Sequence, residues 1–421
     1  MSHRIRRRPA AGMLVVWLVV AGAHPALGVK RLAFATSATG TGNLHAWPEA
    51  DGGFGLDAGD EICRTLAADA GLANAATYRA WLSTASTDAY CHVQGLAGEK
   101  ATGCGGASSP AGPWFLITQN SNFAPALAEL TGTGAVIFRG VLQDENATFL
   151  DLPLESTLWT GTSATGVDTT ANCSSWVSPA SDVQGTIGDA RASARQWTQW
   201  LAVACDSERR LLCLEPGASD PPTKTEWTPA ALAFVTSAQG NGKLSTWESA
   251  AGSVGLAAGD AICRNLATSA HLPDPDSFVA WLSDSNVDAR DRLTLTNVKY
   301  RRVDHYQIAD NKADLLDGTN DNSLHVDERG RYLGSGLTVF TGTLSDGTYE
   351  GASCFDWDST SQPGNVRAGG ASNMRTGVWT AGIGTACVTS SRLYCLSNTV
   401  TIFWDGFDLT HDTARWSTAI P

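Results

Sequence analysis

The sequence predicts an α+β fold that is built twice along one chain and is stapled by disulfides. The first observation is an internal repeat: residues 32–64 align with residues 232–264 without a gap, and 20 of these 33 positions are identical. The second is the order of patterns in each copy, in which a helical pattern comes early and short strand patterns come late. The third is a matched set of cysteines. Chance does not produce such a repeat, so the chain contains two versions of one module.

Each copy is expected to open with a strand, at 32–36 and 232–236, followed by a helix over 57–70 and 257–270. In the first of these helices the apolar residues recur at helical spacing, which predicts one buried face. These residues are Ile62, Cys63, Leu66, Ala67 and Ala70.

The later elements are expected to be short. A second helix is predicted over 75–83 and 276–283, with Trp81 and Trp281 buried. Buried strands that end in turns are expected at 158–162 and 339–343, and final strands that contain the last cysteine of each copy at 211–214 and 393–396. Four further tryptophans at matched spacings are interpreted as core residues. They are Trp176, Trp197, Trp357 and Trp379.

The chain is divided into five segments by these patterns. Residues 1–28 are expected to be a signal peptide, 29–216 the first module, 217–228 a proline-rich linker, 229–398 the second module and 399–421 a tail. The tail contains an aromatic-Asp-Gly-Phe stretch before Arg-Trp-Ser and belongs to neither copy. A sorting signal and a vestige of another domain both remain open for it.

The amino terminus has the pattern of a secretory signal. Four arginines precede a short apolar stretch at 13–22, and small residues at 26–28 or 21–23 offer cleavage positions. No later segment is apolar enough to cross a membrane. We therefore expect a secreted, extracellular or cell-surface protein without a transmembrane segment after signal removal.

The net charge of −13 disfavours nucleic acid, heparin-like polyanions and anionic lipid as partners. The second copy nevertheless contains a local basic run, which is interpreted as an ordinary solvated face. Its members are Arg290, Arg292, Lys299, Arg301 and Arg302.

Ten cysteines in an exported chain predict disulfides. The recurring cysteines are Cys63, Cys173, Cys205 and Cys213 in the first copy and Cys263, Cys354, Cys387 and Cys395 in the second. Cys91 and Cys104 occur only in the first copy and are close enough in sequence for a local bridge. No Cys-x2-Cys pair is present, which disfavours structural zinc.

The order of motifs resembles the endostatin domain of basement-membrane collagens, which has a C-type-lectin-like fold. The matching elements are the early helix with its cysteine, residues 78–83 and 158–162, and the late cysteine-tryptophan frame. The chain is also similar to bacterial endostatin-like modules, among them spirochaete surface proteins that bind host matrix proteins and complement regulators. The resemblance covers nearly all of 30–398. It implies two tandem modules of this fold in a binding protein.

The resemblance also implies a nested disulfide pairing. Carried over, it joins Cys63 to Cys213 and Cys173 to Cys205, and in the second copy Cys263 to Cys395 and Cys354 to Cys387. Other family properties do not carry over: the histidine-rich zinc site and the arginine-rich heparin surface of endostatin are missing here. The loop and strand motifs of calcium-dependent lectins are missing too.

The sequence contains no recognisable catalytic motif, and we expect neither an enzyme nor a bound cofactor. No histidine recurs between the copies, and nucleophile-elbow, zinc-protease and phosphate-loop patterns are lacking. Asp60 and Asp260 do recur, and they are interpreted as carboxylates stabilised by the start of a helix.

An oxygen-rich stretch of the second copy supplies the candidate binding residues. They are Asp310, Asp314, Asp317 and Asp321, accompanied by Asp304, Asp327, Asn311, Asn320 and Asn322. Calcium takes six to eight such oxygens, but the spacing fits no EF-hand. A solvated loop is the alternative interpretation, and whether a metal binds is left open.

These observations favour a secreted, non-catalytic protein that binds a glycan or an extracellular or matrix protein through its late loops. The copies diverge most over 84–157 and 284–338, so ligand choice is expected to reside there. The alternatives are an envelope-associated structural protein anchored by its tail and a polysaccharide hydrolase that uses Asp310, Asp314 and Asp317.

Overall fold

A computed structural model describes residues 29–402, except 108, 119–120, 133, 151–155, 222–227, 335–336, 362–364 and 375–376. The predicted signal peptide, most of the predicted tail and part of the predicted linker lie outside these residues. The described chain has a mixed α+β fold with several sheets, as the sequence predicts. None of its described helices is long and apolar enough to cross a membrane.

In the first copy, a long sheet has the order β4-β3-β1-β8-β5-β6-β7, and β2 also pairs with β8. The strands are β1 (Arg31–Ala35), β2 (Arg79–Ala80), β3 (Trp114–Phe115), β4 (Asn122–Ala124), β5 (Thr157–Trp159), β6 (Gln184–Asp189), β7 (Leu201–Ala204) and β8 (Arg210–Leu214). The helical segments are α1 (Gly55–Asp69), α2 (Ala89–His92), α3 (Leu127–Leu130) and α4 (Cys173–Trp176).

In the second copy, the sheets have the orders β10-β16-β9-β11-β12 and β13-β14-β15. The strands are β9 (Ala230–Val235), β10 (Phe278–Ala280), β11 (Lys299–Arg302), β12 (Gln307–Ala309), β13 (Thr338–Phe340), β14 (Val366–Gly370), β15 (Ile383–Thr385) and β16 (Tyr394–Ser397). The helical segments are α5 (Gly255–Ser269), α6 (Lys312–Leu315), α7 (Cys354–Trp357) and α8 (Val378–Ala381). A parallel bridge between Val339 and Arg392 connects the two sheets where β5 and β8 pair in the first copy.

The opening strands and the long helices form as predicted, because an apolar face on each helix packs onto the sheet. Ile62 and Cys63 of α1 are fully buried. Gly59 permits the close approach: a side chain there would begin 2.7 Å from Leu82 Cδ1 and 3.0 Å from Ala80 Cβ. Gly259 of α5 has the same role, at 2.8 Å from Leu282 Cδ1.

The second predicted helix, over 75–83 and 276–283, is wrong. A single 3-10 turn at Ala75–Thr77 leads directly into β2, whose backbone pairs with β8. The second copy repeats this with Pro275–Ser277 and β10. Pairing with β8 and β16 gives the backbone of these segments sheet hydrogen bonds in place of helical ones. The prediction that the following tryptophans, Trp81 and Trp281, are buried is confirmed.

The interpretation of Asp60 is also wrong. It is the sixth residue of α1, and its buried carboxylate accepts hydrogen bonds from Arg79 Nη1 at 2.6 Å, the Ala80 amide at 3.0 Å and His92 Nε2 at 2.9 Å. Asp260 likewise accepts from the Ala280 amide and from Arg292. This shared carboxylate therefore attaches the helix to the adjacent strand and does not act through the helix dipole.

Five disulfides pair all ten cysteines, each of which lies in the described chain. They join Cys63 to Cys213, Cys173 to Cys205, Cys91 to Cys104, Cys263 to Cys395, and Cys354 to Cys387. The nested pairing that the resemblance implied and the local bridge predicted in the first copy are both present.

The α4 and α7 segments are left-handed turns, in which four consecutive residues have positive φ. Left-handed backbone costs about 1–2 kcal/mol per residue. The disulfides at Cys173 and Cys354 hold these turns, and the Trp176 and Trp357 indoles donate to the Ser83 and Ser283 carbonyls at 2.8 Å. The turns direct a cysteine and a tryptophan into the core together. All four late tryptophans are buried, as predicted.

Candidate functional site

The two copies contact each other through matching backbone segments. Ala192, three residues after β6, forms an antiparallel bridge with Asn373, three residues after β14. The Ser193 amide donates to the Ser372 carbonyl at 2.7 Å, and the Met374 amide donates to the Arg191 carbonyl at 3.3 Å. Because equivalent segments pair with each other, this interface has approximate two-fold symmetry.

Phe138 and Asp321 occupy equivalent positions on the two sides of the interface. The Phe138 amide donates to the carbonyl of Phe123 in β4, and the Asp321 amide donates to that of Ile308 in β12. The copies thus present a phenyl ring and a carboxylate at the same place. This difference is one of those that make the two halves of the interface unlike.

Phe138 closes one half of the interface. Its ring stacks on Tyr306 with 5.5 Å between centroids and 5° between planes, and it meets the edge of Tyr332 at 5.9 Å. Its carbonyl accepts a hydrogen bond from Arg302 Nη2 at 3.2 Å. We call Phe138 the plug and this side of the interface the plugged half.

Arg302 is fully buried beneath the plug. Its guanidinium pairs with Asp304 at 2.7 Å and donates to the Ser323 carbonyl at 2.8 Å. Burial alone would raise the pKa of Asp304, but the charge and hydrogen bond of Arg302, with the Tyr332 hydroxyl, lower it. The solvated-face interpretation of the basic run is therefore wrong for Arg302. It also fails for Arg301 and for Arg292, which pairs with Asp260.

His325 lies against the same buried pair. Its Nδ1 is 3.0 Å from the Ser323 hydroxyl and 3.5 Å from Arg302 Nη1. Burial, reinforced by the positive charge of Arg302, lowers the pKa of His325 to about 3. The imidazole is therefore neutral at physiological pH.

Stability is expected to fall when the pH drops below about 6.5, because the unfolded chain then protonates His325 and the folded chain does not. Down to the folded pKa, this residue is expected to cost about 1.4 kcal/mol of unfolding free energy per pH unit. Urea unfolding at pH 7 and pH 5 measures the loss, which should be about 2 kcal/mol larger than in the variant His325→Leu. Leucine is the residue at the equivalent position of the first copy, Leu142. Equal pH dependence in the two proteins would contradict this assignment.

The other half of the interface is open. Asp321, which takes the place of the plug, is too small to fill it, and a cleft of about 360 Å³ remains. Phe149, equivalent to Tyr332, is 50% exposed, and no aromatic ring among the described residues stacks against it. We call this space the inter-copy cleft. It is lined by Arg139, Leu142, Phe149, Arg191, Thr319, Asn320, Asp321 and Met374.

The polar groups of the inter-copy cleft are unevenly satisfied. Asn320 is only 7% exposed, yet neither its amide oxygen nor its amide nitrogen has a hydrogen-bond partner in the described structure. Arg139 Nη1 donates to the Ser121 hydroxyl, whereas its buried Nε has no described partner. Arg191 is engaged with the Leu150 carbonyl. Burial raises the pKa of Asp321, against the opposing effects of a Gln307 hydrogen bond and the Arg139 charge.

The four predicted binding aspartates are only partly brought together. Gln307 Nε2 donates to both Asp310 at 3.1 Å and Asp321 at 2.7 Å, but Asp310 lies outside the cleft and pairs with Lys299. Asp314 accepts from the Asp310 amide, and Asp317 holds the turn at Thr319. Of these four aspartates, only Asp321 lines the cleft.

Two further oxygen-bearing residues of that stretch, Asp327 and Asn311, have structural roles. Asp327 is buried and accepts from the Arg329 and Arg331 amides, and Asn311 caps α6. Across the described residues, no group of three or more histidine, cysteine, aspartate or glutamate side chains is placed to hold a metal ion.

Sequence reasoning missed Arg139, Phe149 and Arg191, and it placed Asn320 only in a possible calcium loop. One signal did point to them. The two most divergent segments, 84–157 and 284–338, contribute six of the eight lining residues, from opposite sides of the cleft.

No protein-family model and no curated protein matches this chain. The interpretation of the cleft therefore depends on its own geometry.

Proposed function

We propose that this is an extracellular, non-catalytic binding protein that holds a glycan or an extracellular protein through the late loops of two endostatin-like modules with a C-type-lectin-like fold. The inter-copy cleft supports this most directly, because the segments in which the copies differ most converge on it. A shared scaffold with divergent segments around a cleft is the arrangement expected of a recognition surface.

Two further observations support the proposal. Five disulfides suit an oxidising, extracellular setting. Asp60 and Asp260, which recur in both copies, are engaged by cationic side chains and backbone amides, which supports a structural role for these carboxylates.

The oxidised protein without residues 1–28 is expected to bind at least one member of glycan and matrix-protein arrays. The screen is run in calcium and again in chelator, with reduced and alkylated protein as the unfolded control. Binding by oxidised protein alone is the expected result. A ligand is further expected to follow the divergent loops, so exchanging 84–157 with 284–338 should alter which array members bind. Absence of binding on both arrays would contradict the proposal.

A further inference from the structure

We propose that the inter-copy cleft binds one ring of a neutral saccharide without calcium, with Asn320 and Asp321 engaging neighbouring hydroxyls and Phe149 packing on the ring face. This inference rests on the proposed binding function and specifies its ligand class. It uses groups from both copies, so neither copy alone makes the site.

The unpartnered side chain of Asn320 is the main indication of a ligand in the cleft. A buried polar side chain without a partner is disfavoured, and folded proteins seldom keep one without a use. Both its donor and its acceptor are unpaired within the described chain. Neighbouring sugar hydroxyls, one donating and one accepting, satisfy both atoms of a carboxamide at once, because each hydroxyl can play either role.

The charged groups beside Asn320 add further hydrogen-bond acceptors and donors to the cleft. Asp321 uses Oδ2 to accept from Gln307, and Oδ1 of its carboxylate adds acceptor capacity for a ligand hydroxyl. The buried Nε of Arg139 adds a donor. The opposite charges of Arg139 and Asp321 offset each other locally, which suits an uncharged ligand, and the net charge of −13 repels polyanions.

The apolar groups fit the other face of a sugar. Half of the Phe149 side chain is exposed at the cleft, where its counterpart Tyr332 is covered by the plug. The C–H face of a pyranose ring is apolar and loses water when it packs on an aromatic ring. The volume of about 360 Å³ lies at the small end of ligand pockets, which run from roughly 300 to 1,000 Å³, and it suits a monosaccharide or disaccharide.

The test uses the full oxidised protein and an array of neutral and acidic glycans, in chelator. The variant Asn320→Ile introduces the residue found at the equivalent position of the first copy, Ile137. Since the Asn320 side chain has no hydrogen bond to lose, the thermal midpoint should stay the same or rise. The affinity for a neutral glycan should fall at least about tenfold.

Three further variants sharpen the test. Asp321→Phe introduces a plug into the open half and should abolish binding. Asp321→Asn removes only the charge and is expected to weaken binding in a folded protein, as judged by an unchanged melting curve. Asp310→Asn is the control, because Asp310 shares Gln307 with Asp321 but lies outside the cleft. It should leave binding unchanged.

The outcomes separate this inference from the broader proposal. Neutral-glycan binding that survives both Asn320→Ile and Asp321→Phe would overturn the cleft as the site and leave the binding function standing. Binding only to proteins, only to acidic glycans or only with calcium would overturn the saccharide assignment in the same way. Failure to bind any glycan or matrix protein would overturn both.

Discussion

Replacing Arg302 by methionine is expected to lower the free energy of unfolding by about 3–5 kcal/mol, because the change leaves the Asp304 carboxylate, only 14% exposed, without its countercharge. The guanidinium also donates to the Ser323 carbonyl and, across the interface, to the Phe138 carbonyl. Its loss therefore removes both a buried ion pair and a bond between the copies. Denaturant unfolding followed by tryptophan fluorescence measures the effect.

A double variant provides the control for Arg302. The first copy has Leu116 at the position equivalent to Arg302, and Leu116 is buried there, so the fold accepts an apolar residue at this place. Arg302→Met combined with Asp304→Asn should recover most of the lost stability, since removing both charges of a buried pair is far less costly than removing one. If the double variant were less stable than the single one, the pair would not be the cause.

Replacing Cys63 and Cys213 by alanine is expected to cost about 5 kcal/mol in the chain-entropy treatment of disulfides. The bond links α1 to β8 across a sequence separation of 150, and both residues are fully buried. It therefore restricts the unfolded chain over almost the whole first copy.

The local bridge between Cys91 and Cys104 is the matched control. Its sequence separation is 13, so replacing both residues by alanine should cost about 3 kcal/mol or less. The second copy builds the corresponding region without a disulfide. Calorimetry on the two double variants compares the losses. A greater loss from the local bridge than from the long one would contradict the entropic explanation.

The elements that follow from local patterns were predictable from the sequence. The face of α1 that contains Ile62 and Cys63 has helical spacing, and the strands that end each copy are compact apolar runs. The segment after α1 was not predictable in this way. Its residues are compatible with a helix, and only the pairing with β8 and the hydrogen bond from the Ala80 amide to the Asp60 carboxylate make it a strand.

The residues of the candidate site were still harder to predict from the sequence. Acidic residues drew attention to 304–327, and Asp321 was found there, but its importance comes from where Phe138 sits in the other copy. Arg139 and Phe149 have no pattern of their own. A cleft formed by two segments nearly 200 residues apart depends on how the copies pair, and local periodicity does not encode that pairing.

The pairing of Ala192 with Asn373 has an evolutionary consequence. Two separate, identical chains that met through this segment would form a symmetric dimer, in which every substitution appears on both sides of the axis. A plug residue would then seal both halves, and a small residue would open both. Gene fusion removes that constraint. In the fused chain each half has its own codons. One half can therefore hold the copies together through Phe138 and Arg302, while the other half can change to suit a ligand.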